Sequence, residues 1–283
     1  MLQPDARPPL QRAARWGAAF GVCVALLGCA APPPTPEDAA WHAQLQRWQG
    51  TPLLLLGEQH DAPTHQAWER DTVRWLATRQ QLAALVIEMA EAGNGTRGLP
   101  PDASASQVRE ALRWNEAGWP WAHYGPVVMA AVRAGAPVLG GNLPRARQRN
   151  AMNDAALDDH LPPEALARQR EAVRDGHCGL LPPSQIAPMT RVQLARDASL
   201  AATAQAALQP GRTVVLVAGA GHVGRHAAAP TWLPQNISYK VAAAQTGKAR
   251  AAIDNEVDYV HPTPAIPERD YCAPLRQRAP GPA

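Results

Sequence analysis

Four short apolar runs in this 283-residue chain end in side chains that can do chemistry. Residues 53–56, all leucine, lead into Gly57-Glu58-Gln59-His60, with Asp61 and His65 close behind. The run 84–89 contains Glu88, the run 137–140 leads into Gly141-Asn142, and the run 213–218 leads into Gly219-Ala220-Gly221-His222. Carboxylates, imidazoles and a carboxamide are the groups that ligate metals, hold protons and polarise carbonyls. Any one of them after a strand is ordinarily a loop residue or a cap. As a set they matter only if the runs are neighbouring strands whose ends share one edge.

The rest of the chain points to that arrangement. Each run is too short for a helix and unbroken by polar residues, which suits strands buried on both faces. Helical spacing fills the gaps at residues 64–79, with Trp68, Trp75 and Leu76 apolar, and at 124–134 and 189–208. Strands alternating with helices predict an α/β fold, a single domain with a mainly parallel central sheet flanked by helices. A weaker strand over 237–243 is expected at the edge. Residues 93–121 and 161–188 are expected to be insertions of loops and short helices. In an open α/β sheet ligands bind beyond the carboxyl ends of the strands, so Glu58, His60, Glu88, Asn142 and His222 are expected on one rim. Glycines at two of these turns let backbone approach a ligand closely.

Composition narrows the function. The chain has 27 Lys+Arg against 24 Asp+Glu, a net charge of +3, and no basic run, so nucleic acid is not an expected partner. Arg12 and Arg15 precede an apolar stretch, 16–27, that is too short to cross a bilayer core of roughly 30 Å but suits the core of a signal peptide. It ends in Leu26-Leu27-Gly28-Cys29, which resembles the lipobox of bacterial lipoproteins. The expected organisation is a signal peptide at 1–28, a Pro-rich tether at 29–40 after lipidated Cys29, and a domain at 41–283 with a Pro-rich tail. A polyproline tether reaches about 20 to 25 Å from the bilayer. Ala30 after Cys29 suits a lipid-anchored place in the bacterial cell envelope, at the outer membrane facing the periplasm. Outside the signal only Cys178 and Cys272 remain, and two cysteines in an oxidising space are expected to pair. Closing that loop stabilises by about 4 to 5 kcal/mol in the chain-entropy picture.

The ordered motifs carry a family resemblance. Residues 53–61 with His65, Val86-Ile87-Glu88-Met89, Trp121-Ala122-His123-Tyr124-Gly125-Pro126, Gly140-Gly141-Asn142-Leu143-Pro144-Arg145, Gln193-Leu194-Ala195-Arg196-Asp197 and Val217-Ala218-Gly219-Ala220-Gly221-His222 together resemble the ChaN-like family of haem-binding lipoproteins, in the wider Tiki superfamily. The resemblance implies a protein that binds haem during haem or iron uptake, with two subunits able to meet over paired haems. Haem needs an apolar slot, an iron ligand, and cations or amides for its propionates. Trp121, with Trp114, Trp119 and Pro120, is a candidate wall. Tyr124 is a candidate axial ligand, since a phenolate holds haem iron, and His60, His65, His123 and His222 are competing donors. Arg145 is a candidate propionate partner, and Asn142 lies on the same rim. No CxxCH run is present, so covalent attachment is not expected.

A different chemistry competes. Both Gly57-Glu58-Gln59-His60 and Gly219-Ala220-Gly221-His222 fit GxxH, the spacing of metal-dependent members of the superfamily. His60 and His222 with Glu58 and Glu88 would hold a divalent transition metal with an open water position. Glu58 or Glu88 would then be ligand or general base, with Asn142 polarising a carbonyl. Neither an HExxH helix nor a GxSxG elbow is present. Haem binding without catalysis is the preferred expectation.

Overall fold

The computed structural model describes residues 35–247, 253 and 255–278. The signal peptide, Cys29 and most of the tether lie outside the described residues. The tether's last residues do not stay extended: Thr35 caps α1 (Pro36–Arg47) in a reciprocal box with Asp38, and Pro36 takes the first helical position, where its missing N–H costs nothing.

From there the chain runs β1 (Leu53–Glu58), α2 (Pro63–Thr78), β2 (Leu82–Glu91), α3 (Ala105–Ala111), α4 (Trp121–Arg133), β3 (Val138–Asn142), α5 (Arg145–Asn153), α6 (Pro163–Gly176), α7 (Pro183–Ala206), β4 (Thr213–Gly219), β5 (Tyr239–Thr246), β6 (Tyr259–Thr263) and α8 (Ala273–Arg278). The six strands form one sheet in the order β3-β2-β4-β1-β5-β6, and every pairing is parallel. Leu54 and Leu56 face a core built with Trp41, Trp68 and Val128, whereas Leu53 and Leu55 face the opposite core with Leu200 and Ala204. Unbroken leucine therefore suits β1 because both of its faces are covered.

Two expectations are corrected. The strand over 237–243 is not at the edge: β5 lies between β1 and β6, and the edge is β6, within the tail. Residues 161–188, expected as loops and short helices, are mostly regular helix: they hold the 14-residue α6 and the first turns of α7. Pro188 sits inside α7, early enough that its lost hydrogen bond does not end the helix. The segment 93–121 does hold turns and the short α3, and Gly95 bridges Leu139 to cover the free edge of β3.

The topology fixes where a ligand can sit. The chain leaves β1 for the α2 layer and leaves β4 through Val223 and Ala229, which pack with Leu200 on the opposite face of the sheet. The carboxyl ends of neighbouring β1 and β4 therefore bound a crevice at a topological switch point. Cys178 and Cys272, 94 residues apart, form a disulfide with a Cα separation of 5.6 Å.

Candidate functional site

Register brings the strand ends together. Glu58 pairs with Gly219 across β1 and β4, and Ile87 pairs with Val217 across β2 and β4, so Glu88 follows alongside. The pairing of β2 with β3 shifts between Ile87 and Glu91, the kind of irregularity that re-aims a side chain at a sheet end. Glu88 is buried, and its Oε2 accepts the backbone N–H of Gly219 at 2.8 Å.

Two imidazoles flank this carboxylate. His60 Nε2 lies 3.8 Å from Glu88 Oε2, and His222 Nε2 lies 3.6 Å from Glu88 Oε1. Each ring is held from behind by its own buried carboxylate. His60 Nδ1 is 2.8 Å from Glu58 Oε1, and His222 Nδ1 is 2.7 Å from Asp197 Oδ1. A carboxylate on Nδ1 places the proton there and leaves Nε2 directed at Glu88. Glycine at 219 lets the His60 ring lie against the backbone, since a Cβ there would meet its Nε2 at 2.8 Å and its Cε1 at 3.1 Å and push the ring aside. Gly57 is equally constrained, with Val223 Cγ2 only 2.5 Å from where a Cβ would stand.

The electrostatics follow from this packing. Burial works to lower the pKa of His222, but Glu88 and Asp197 outweigh it and raise it to about 9. His60 is raised for the same reason, with burial opposed by the Glu58 hydrogen bond and by Glu88. Burial works to raise Glu88, yet His222 and His60 hold it below the ordinary carboxylate range. Burial lifts Asp197 to about 6 against the pull of His222. Behind Glu58 lies fully buried Glu69, kept protonated first by burial and then by the charge of Glu58.

Glu58, His60 and His222 line a hollow of about 780 Å³ with Asp61, Gln245 and Tyr271. Trp119 stands edge-on to His60, ring centroids 4.8 Å apart. A second hollow of about 690 Å³ runs along the Ala-rich face of α7, away from these groups.

Other candidate residues lie elsewhere. Tyr124 is 2% exposed, and its hydroxyl donates to Glu58 Oε1 at 2.9 Å. Burial and the Glu58 charge raise its pKa far beyond the usual phenol range, and its hydroxyl braces Glu58. His65 is fully buried: its Nδ1 accepts the Gln59 N–H at 2.9 Å and its Nε2 meets Thr263 Oγ1 at 3.0 Å, so both nitrogens are used. His123 is exposed on α4 and does not line the hollow. Trp121 packs edge-on to Trp114 at 4.9 Å and closes over Gly125, leaving Trp119 as the tryptophan at His60. The Arg145 side chain is exposed and is not part of the hollow. Asn142 Nδ2 holds the Glu88 carbonyl at 2.9 Å, while its Oδ1 is buried without a partner.

Sequence reasoning missed the roles of Asp197 and Gln66. Asp197 had a visible signal: it lies three residues from both Leu194 and Leu200, so a carboxylate sits on the apolar stripe of α7. Gln66 Nε2 donates to Glu58 Oε2 from the first turns of α2, and no sequence pattern marks it.

A doubly wound α/β fold with a hollow at its switch point, lined by two imidazoles and two carboxylates, defines a ligand-binding protein of the open-sheet class. Residues 44–233 match the family described as haem-binding uptake, Tiki superfamily, ChaN, and the chain belongs to that family. The fold is similar to a solved structure described as cofacial heme binding to ChaN of Campylobacter jejuni. That match has a TM-score of 0.63 at 19% identity, covering 78% of this chain and 90% of that chain. Comparison with curated proteins gives no match.

Proposed function

We propose that this chain is an envelope lipoprotein, anchored through acylated Cys29, that binds haem in the hollow at the ends of β1 and β4 as a step in haem or iron uptake. The observation that supports this most is the pair of buttressed imidazoles. His60 and His222 each line the hollow with a carboxylate on Nδ1, and their Nε2 atoms flank Glu88 at 3.8 and 3.6 Å. The residues fit the group: the volume lies within the range of small-molecule sites, about 300–1,000 Å³, and a carboxylate-buttressed histidine is a basic iron donor.

Haem, if bound, would supply an Fe(III) centre that an imidazole nitrogen of this chain could hold. His60 is the proposed donor, because its side chain is 40% exposed against 14% for His222. Glu58 orients its ring and accepts the Nδ1 proton. Trp119 shields one side of the ring, and Glu88 offsets the charge of the two histidines. With carboxylates lining the hollow, propionates are expected to point out to solvent. The Campylobacter jejuni protein is described as binding heme cofacially; carried over, two copies of this chain would meet over stacked haems.

Adding hemin to the soluble domain should produce a sharpened Soret band that saturates at a fixed ratio, and sedimentation with and without hemin reads the association of copies. No spectral change at excess hemin would remove the proposal. Metal-dependent hydrolysis has one feature in its favour, since both GxxH histidines and Glu58 line the hollow and both histidines lie within 4 Å of buried Glu88. Against it, among the described residues no group of three or more His, Cys, Asp or Glu has the geometry to hold a metal ion. Stoichiometric transition metal in the purified protein, lost in His60→Ala and His222→Ala, would favour hydrolysis over haem.

A further inference from the structure

Beyond β6 the chain returns across the rim with little to hold it. No residue from 264 to 277 is buried, so apolar packing does not fix this strap. Because β6 runs parallel to β5, the strap starts on the same edge as the hollow. Tyr271 is 53% exposed, yet it lines the hollow with His60 and His222. Its hydroxyl donates to the Asp61 carboxylate, just past β1. The next residue, Cys272, is bonded to Cys178 at the end of α6, which packs with α7 on the face of the sheet away from α2. The strap is thus fastened to the α6–α7 layer by sulfur and to the β1 loop by one phenol. A single hydrogen bond between accessible groups does not offset the backbone entropy of ordering the residues between Thr263 and Cys272. The covalent tie does, by holding Tyr271 at high effective concentration beside Asp61.

We propose that Tyr271 is a ligand-contacting wall of the hollow and that the Cys178–Cys272 disulfide keeps it there, so the sulfur pair's redox state sets how fast the ligand escapes. The proposal rests on the hollow being the ligand site. Reduction by a dithiol delivers two electrons and two protons to the sulfur pair. It leaves Cys178 and Cys272 as thiols and the dithiol as its cyclic disulfide.

Two measurements on the mature chain test this. In the first, hemin-loaded protein is mixed with excess apomyoglobin and the transfer rate is followed. Dithiothreitol treatment, Cys178→Ser with Cys272→Ser, and Tyr271→Ala should each speed transfer by about tenfold, and Tyr271→Ala should add nothing once the disulfide is gone. In the second, diethylpyrocarbonate modifies the ligand-free protein, and mass spectrometry follows the rate at His60. Breaking the disulfide or truncating Tyr271 should accelerate it, with exposed His123 as the internal reference. Hemin bound with unchanged transfer and unchanged His60 modification in every variant overturns the strap while leaving haem binding intact. Disulfide-dependent protection of His60 in a protein that takes no hemin supports the strap and sinks haem as the ligand.

Discussion

Glu58 Oε1 accepts from two directions at once, from His60 Nδ1 at 2.8 Å and from the Tyr124 hydroxyl at 2.9 Å, so one buried carboxylate sets both the tautomer and the tilt of the imidazole at the hollow. Gln66 Nε2 takes the other oxygen. With its oxygens engaged, Glu58 has little freedom, and His60 inherits that rigidity.

Glu58→Gln should therefore act through His60. The amide cannot accept the Nδ1 proton with the strength of a carboxylate, and imidazole basicity falls. Hemin affinity, measured by Soret titration, should drop by about 10- to 100-fold, the usual effect of removing a carboxylate behind a metal-bound histidine.

Tyr124→Phe separates bracing from ligation. The substitution removes one hydrogen bond to a charged acceptor in a buried site and should cost about 1.5–3 kcal/mol in denaturant unfolding. The position and shape of the hemin Soret band should stay unchanged, because the phenol does not reach the hollow. A changed band shape would return Tyr124 to the iron.

Hemin affinity should rise with pH. His60 and His222 are held protonated by Glu58, Glu88 and Asp197, and an Nε2 donor has to lose its proton to bind iron. Titrations at about pH 6 and about pH 8 should show tighter binding at the higher value.

Acid should loosen the fold at β6, where His261 pairs with Ala244. His261 stacks on Trp68 with centroids 5.1 Å apart and planes 8° from parallel, and burial pushes its pKa down to about 4. The unfolded chain binds that proton more readily, near pH 6.5. Stability from this group is complete above about pH 6.5 and falls as pH drops toward about 4. Thermal unfolding across that window should show the slope, and His261→Phe should flatten it.

Much of the site was legible from strand ends alone. Four leucines into Gly57-Glu58 specify a doubly buried strand and what stands at its end, so Glu58, His60, Glu88 and His222 fall on one rim by topology. The choice among neighbours was not legible. His65 is five residues from His60, yet the start of α2 turns it into the core toward Thr263. Trp119 and Trp121 differ only by the turn before α4. β6 escaped notice because Pro262 argues against a central strand, and only an edge position tolerates it. Asp197 meets His222 and Tyr271 meets Asp61 across 25 and 210 residues of sequence, and although the apolar stripe of α7 marks Asp197 as unusual, no local pattern names either partner.

The most direct test is the hemin spectrum of His60→Ala beside wild type and His123→Ala, with folding checked by circular dichroism. The account predicts that wild type and His123→Ala share one Soret band and one affinity, while His60→Ala loses the band or shifts it with at least about tenfold weaker binding. Equal spectra and equal affinities in all three proteins would place the iron elsewhere and contradict the account.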